Sequence, residues 1–212
     1  MLFRQFFESE SSTYTYLIAS GVGREALIID PVKEMVPHYL KAIADLDLKL
    51  VRAIDTHTHA DHVTGLGDLR NETGCVTVMG EFTQAECVSE HVREGDLIDI
   101  DGVKLRAIYT PGHTNESFSF VLNPGQPQAV FTGDVLLIRG TGRNDDTLVY
   151  PAHDYKGWTA SSIGEEKRHN PRLANTTREA YIELMNGLVL SNPKLMDIAI
   201  PANLACGRVA AK

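Results

Sequence analysis

The sequence predicts a single α/β domain with mixed sheets. Three observations carry that reading. Short apolar or alternating runs recur through most of the chain, and helical apolar spacing falls between some of them. No repeat or low-complexity linker divides the 212 residues, a length that suits one domain with a full-sized core. About 43% of positions are hydrophobic, too many for a disordered chain.

From the N-terminus, Leu2, Arg4 and Phe6 alternate with Phe3, Gln5 and Phe7, the period of a strand. Residues 13–19 are β-branched and aromatic, and Gly21 and Gly23 then turn the chain. Residues 26–29 form a fully apolar strand of the buried kind, closed by Asp30-Pro31. Val36, Leu40, Ile43 and Leu46 follow helical spacing over 35–46. A second buried strand at 50–54 delivers the chain into Asp55-Thr56-His57-Thr58-His59-Ala60-Asp61-His62. A helix carrying Leu66 and Leu69 stops near Gly74, and 75–79 is the next strand. Strands follow at 97–100, 103–109, 118–122, 129–131 and 148–150, with turns at Asp101-Gly102 and Pro124-Gly125. The last quarter reads as helical: Thr176 and Glu179 form a capping-box pattern, and Ile182, Met185 and Val189 give one apolar stripe.

Composition excludes several classes. A net charge of −8, from 20 basic and 28 acidic residues, argues against a surface that tracks nucleic-acid phosphates. No apolar run approaches the ~18 residues of a membrane span. The start, Met1 to Glu8, is too short and too soon charged for a signal peptide. Cys75, Cys87 and Cys206 are sparse, odd in number and form no C-x-x-C pair, so buried or idle thiols are expected rather than a disulfide scaffold. The expected setting is cytoplasmic, or the mitochondrial matrix if a targeting segment has been removed.

The chemistry sits in the histidines. His57, His59, Asp61 and His62 place three imidazoles and a carboxylate within six residues, directly after a strand. His113, Asp134 and His153 each follow a later strand, with glycine or proline close by to tighten the backbone. Imidazole and carboxylate without thiolate suit zinc or iron rather than a structural zinc finger. His38, His91 and His169 stand alone and are read as structural.

The His-x-His-x-Asp-His signature, followed by histidine, aspartate and histidine, resembles the metallo-β-lactamase superfamily. The resemblance implies a metallo-β-lactamase-type αββα sandwich, two mixed β-sheets flanked by helices, with metal at one edge. Two chemistries fit the seven donors. His57, His59 and His113 on one metal, Asp61, His62 and His153 on another and Asp134 bridging would make a dinuclear-zinc thiolester hydrolase of the glyoxalase II type. A face of two histidines and one carboxylate, His57, His113 and Asp134, would instead hold one iron with positions open for substrate and dioxygen.

Longer strings favour the second. Thr13-Tyr14-Thr15-Tyr16-Leu17, 56–65, Leu136-Leu137-Ile138-Arg139-Gly140-Thr141-Gly142-Arg143 and Tyr150-Pro151-Ala152-His153-Asp154-Tyr155 closely resemble the persulfide dioxygenases. So do Asn170-Pro171-Arg172-Leu173 and Pro201-Ala202-Asn203. The resemblance implies oxidation of glutathione persulfide with O2 and water to glutathione and sulfite, at one Fe(II) per chain. His57, His113 and Asp134 become the catalytic metal ligands, and His59, Asp61, His62 and His153 orient them. Arg143 is the candidate for a glutathione carboxylate, since a guanidinium binds bidentately, and Tyr155 the candidate hydroxyl donor. Oligomeric state is left open, with a homodimer among the options. Some relatives carry a rhodanese-like sulfurtransferase domain; the chain ends soon after Arg208, so none is expected.

One departure stands out. The family carries a helix-containing excursion between the Gly-x-Gly-Arg loop and the next strand, whereas here Asn144 runs into Thr147 with no room for it. A mobile segment missing from the sequence between Asn144 and Thr147 is expected there, with a genuine deletion as the competing reading.

Overall fold

The computed structural model describes residues 1–86, 88–137, 147–189 and 191–208. The first sheet runs in chain order through β1 (Leu2–Glu8), β2 (Thr13–Ala19), β3 (Glu25–Ile29), β4 (Lys49–Ile54), β5 (Val76–Gly80) and β6 (Glu90–Val92). Its first three strands pair antiparallel. The next pairings are parallel, with α1 (Val36–Asp45) and α2 (Leu66–Thr73) carrying the first two crossovers. The second sheet is equally sequential: β7 (Leu97–Ile100), β8 (Val103–Tyr109), β9 (Phe118–Leu122), β10 (Ala129–Gly133), β11 (Leu148–Pro151) and β12 (Ser161–Ser162). Only β10 and β11 pair parallel there. Three helices follow, α3 (Ile163–His169), α4 (Arg178–Asn186) and α5 (Met196–Leu204).

Strand alternation builds two cores. Tyr16 and Ile18 of β2 and Leu27 and Ile29 of β3 point between the sheets, where they meet Leu105, Phe118, Phe120 and Phe131. Their neighbours Leu17, Ala19, Ala26 and Ile28 point the other way, under Val36, Tyr39 and Ile43 of α1 and Leu66 and Leu69 of α2. Burial on both faces explains why these strands read as continuous apolar runs. The expected two mixed sheets flanked by helices are therefore present.

Several local expectations need correction. The helix at the end is capped by Thr177, whose hydroxyl accepts from the Ala180 amide, not by Thr176. Val189 lies beyond that helix and is 96% exposed, so it belongs to no stripe. The strand β6 and the short β12 have no counterpart in the sequence reading, which reads the last quarter as helical but delimits neither α3 nor α5 within it. Cys206 is disulfide-bonded, against the expectation of idle thiols, while Cys75 is free and buried and Cys87 lies outside the described residues. Distance along the sequence does not report which sulfurs the fold brings together.

Candidate metal centre

All seven anticipated donors gather at one edge of the sandwich. His57, His59, Asp61 and His62 follow β4, His113 follows β8, Asp134 follows β10 and His153 follows β11. Their ligand atoms fall into two groups, each within 4.8 Å: His57, His113 and Asp134, and His59, Asp61, His62 and His153. Asp134 stands between the groups, with Oδ2 3.5 Å from Nε2 of His113 and Oδ1 3.5 Å from Nε2 of His153. His57, His59, His62 and His153 are buried, whereas the His113 side chain is 43% exposed, so the centre opens on its side.

The surrounding residues fix the ring orientations. Asp30 accepts from the Thr56 amide at 2.7 Å and the Thr56 hydroxyl at 3.1 Å. That hydroxyl can then accept from Nδ1 of His57, 3.0 Å away, which turns Nε2 toward the centre. Asp30 also contacts Nε2 of His59 at 3.2 Å, leaving Nδ1 of that ring without a hydrogen-bond partner among the described residues, 3.9 Å from Oδ1 of Asp61. The ligand atom of His59 groups with Asp61, His62 and His153, while its ring also lies against that of His57, with centroids 4.2 Å apart. Thr13 plays the corresponding part on the far side. Its hydroxyl lies 3.2 Å from Nδ1 of His62 and 3.3 Å from Nδ1 of His153, and both Nε2 atoms face inward. Glu116 fastens the loop from the second sheet by accepting from the Thr58 amide at 2.7 Å.

Electrostatics follows burial. Burial first, then the neighbouring imidazoles, holds His57 and His59 well below the usual histidine range, so both present neutral lone pairs. Burial opposes the charge on Asp61, yet contacts with His62, His153 and His59 together keep its carboxyl far below the usual range. Asp134 moves the opposite way: burial raises it despite His153 and His113. Behind the centre, burial and the nearby Asp30 push Asp55 well up.

The donor set fits a metal. Buried Nδ1 of His59, Nε2 of His62 and His153 and Oδ1 of Asp134 have no hydrogen-bond partner among the described residues. Buried polar atoms are normally satisfied, and converging imidazole and carboxylate atoms left open are what a zinc or iron ion takes.

Other candidates divide. Tyr155 is 70% exposed and not a packed core residue; its ring lies parallel to that of His153, with centroids 6.2 Å apart. Partial desolvation and then Asp134 and Asp61 push its hydroxyl up to about 12. Arg143 and the Asn144 side of the suspected deletion lie outside the described residues. His38, His91 and His169 are exposed and do not join the centre. Sequence reasoning missed Asp30, Thr13, Thr56 and Asn203. Asp30 carried one local signal: it closes a buried strand ahead of proline and adopts φ 51°, a conformation few non-glycine residues take.

The sequence profile described as the metallo-beta-lactamase superfamily matches residues 9–173. The mouse protein named persulfide dioxygenase ETHE1, mitochondrial, is 42% identical over 98% of this chain and 89% of its own length. The chain belongs to the persulfide dioxygenase family of that superfamily. The human protein of the same name is 40% identical over the same shares. The crystal structure of ETHE1 from Myxococcus xanthus superimposes with a TM-score of 0.91 at 46% identity, covering 98% of this chain and all of that one. The alignment with the mouse family member runs over 230 residues, more than the 212 of this chain, so that relative carries residues this chain lacks. Among the described residues no helix is long and apolar enough to cross a membrane.

Proposed function

We propose that this protein is a persulfide dioxygenase that converts glutathione persulfide, O2 and water into glutathione and sulfite, with release of two protons. Similarity to the named persulfide dioxygenases over nearly the full chain carries the reading. The short stretch between Asp134 and His153 is the departure from that family, and the alignment over 230 residues is in keeping with a segment this chain lacks.

His57, His113 and Asp134 would hold one ferrous ion, two imidazoles and one carboxylate on a single face. Bound there, iron supplies the redox chemistry by which oxygen adds to the terminal sulfur of the persulfide. The protein's own residues do the rest. Asp30 and Thr56 hold His57 in the tautomer that offers Nε2. Exposed His113 leaves the approach open for an anionic sulfur. Tyr155, protonated at neutral pH, would present a hydroxyl donor to that approach. Arg143 would take a glutathione carboxylate through its planar fork.

The second group, His59, Asp61, His62 and His153, keeps the dinuclear-zinc thiolester hydrolase as the alternative. Metal analysis of anaerobically purified protein, with oxygen uptake on glutathione persulfide, separates the two. One iron per chain with persulfide-dependent uptake and sulfite formation is expected. Two zinc ions per chain and thiolester cleavage without oxygen uptake would overturn the reading.

The mouse and human relatives are named mitochondrial, which fits the mitochondrial alternative to a cytoplasmic setting. A homodimer belongs to the same reading: α4 buries no residue, and Ile182 and Leu184 on it stand exposed. Light scattering on the purified protein tests it.

A further inference from the structure

Among the described residues, the loop from His57 to Gly65 has no strand neighbour beyond one isolated bridge at Thr64, so its carbonyls need partners elsewhere. Two of them, on His59 and His62, are answered by one side chain from the far end of the sequence. Asn203, buried in the last turn of α5, donates through Nδ2 to the His59 carbonyl at 2.8 Å and to the His62 carbonyl at 2.9 Å. Its Oδ1 accepts from the Thr64 amide at 2.8 Å. One planar carboxamide thus uses both donors and its acceptor on three residues of the loop. Among the side chains only Asn and Gln carry that combination on a single group.

The backbone around Asn203 is fitted to the same loop. A Cβ on Gly67 would lie 2.3 Å from the Cys206 carbonyl oxygen, and one on Gly207 would lie 2.3 Å from the Thr64 carbonyl oxygen. The turn after α5 closes through the Cys206 amide to the Asn203 carbonyl at 3.0 Å and the Gly207 amide to the Ala202 carbonyl at 2.8 Å. The amide is therefore delivered from a turn that cannot back away without opening both glycine contacts.

We infer that Asn203 is a positioning residue for the metal centre: it sets the spacing of His59 and His62 by clamping their carbonyls, and through them the loop that begins at His57. It touches backbone only, so it acts through the histidines. The inference rests on the presence of a metal centre, not on the metal being iron or the substrate a persulfide.

Metal-free protein titrated with Co2+, against a competing chelator and with the visible spectrum recorded, tests it. Asn203→Asp keeps the acceptor for Thr64 but turns both donors into acceptors facing carbonyl oxygens. Asn203→Ser keeps a smaller hydroxyl group at the same place. We expect the loss of both donors in the first variant to weaken Co2+ binding at least tenfold and to shift the ligand-field bands, within the ten- to hundredfold range typical of groups that orient metal ligands. The serine variant falls between it and wild type. A lowered melting temperature of the metal-free protein with unchanged Co2+ affinity and spectrum would make Asn203 merely structural and overturn the proposal. A variant that folds only once Co2+ is added supports it; one that stays unfolded at saturating Co2+ counts against it. Failure of the wild type to bind Co2+ would tell against the metal centre itself, whereas equal binding by wild type and variants tells against Asn203.

Discussion

Oδ1 of Asp30 lies 3.2 Å from Nε2 of His59, and its other oxygen reaches His57 through the Thr56 hydroxyl. One buried carboxylate therefore selects the ring nitrogen that each of two histidines turns toward the centre. Burial raises this carboxyl, and the neighbouring His57 ring and the hydrogen bonds from Thr56 oppose that rise.

Asp30→Asn tests this arrangement. An amide oxygen can still accept from the Thr56 backbone, but the adjoining NH2 meets groups that were donating to a carboxylate. Metal affinity, measured by chelator competition, should fall about 10- to 100-fold. Unchanged affinity would show that ring orientation does not depend on Asp30.

Gly133, directly before Asp134, has φ 53°, and a Cβ there would lie 2.5 Å from Oγ1 of Thr56. Gly133→Ala therefore meets a left-handed backbone penalty of roughly 1–2 kcal/mol and pushes on the hydroxyl that orients His57. Metal content of the purified variant should drop along with its melting temperature. Full metal occupancy at wild-type stability would refute the close approach.

Acid should loosen the metal-free protein through its buried histidines. The folded state holds His57 and His59 well below the ordinary value of 6.5, so below that pH the unfolded chain binds more protons at these sites. Their contribution is intact above pH 6.5 and is lost as pH falls toward the folded values. Melting temperatures of metal-free wild type and a His57→Gln/His59→Gln double variant, from neutral to mildly acidic pH, report it. The wild type should lose stability more steeply on acidification; equal slopes would show that these two rings do not govern the response.

Much of the sandwich was legible because its strands obey simple periods. The doubly buried β2 and β3 read as apolar runs, and α2 announces its end at Gly74, which takes φ 72° while its amide bonds to the Arg70 carbonyl. Within the helical last quarter α5 was not delimited, because Pro201 inside it reads as a breaker and its apolar residues form no single stripe. α3 did carry a signal, Ser162 three residues before Glu165, and the serine does accept from the Glu165 amide. The metal donors were legible as a cluster of rare side chains. Asp30, Thr13 and Asn203 were not, since their roles arise only when residues such as Asn203 and His62 meet across 141 positions.

Tyr155 lies over His153 with its ring exposed, which supports the substrate contact proposed for it. Tyr155→Phe keeps the stacking surface and removes the hydroxyl. Metal content should stay at the wild-type level while kcat/KM for glutathione persulfide falls about 10-fold, the scale of one lost hydrogen bond of about 1.4 kcal/mol to a charged group. Steady-state oxygen uptake measures it, and an unchanged kcat/KM would remove Tyr155 from the substrate site.

Gly80 ends β5 where the ring of Phe118 crosses from the other sheet, and a Cβ there would lie 2.1 Å from Cδ2 of that ring. Phe118 is fully buried, and its amide donates to the Thr56 carbonyl at 2.9 Å, so this contact joins the inter-sheet core to the loop that bears the metal donors. Gly80→Ala cannot be absorbed by a flexible chain end, because the obstructing atoms belong to a rigid, fully buried ring. Overpacking of this kind costs about 1–3 kcal/mol. Urea unfolding should show a lower midpoint with an unchanged slope. Pairing Gly80→Ala with Phe118→Leu, which makes room for the methyl group, should bring the double variant closer to Phe118→Leu alone than the single costs added together allow. Strict additivity would mean that Gly80 and Phe118 do not share the space.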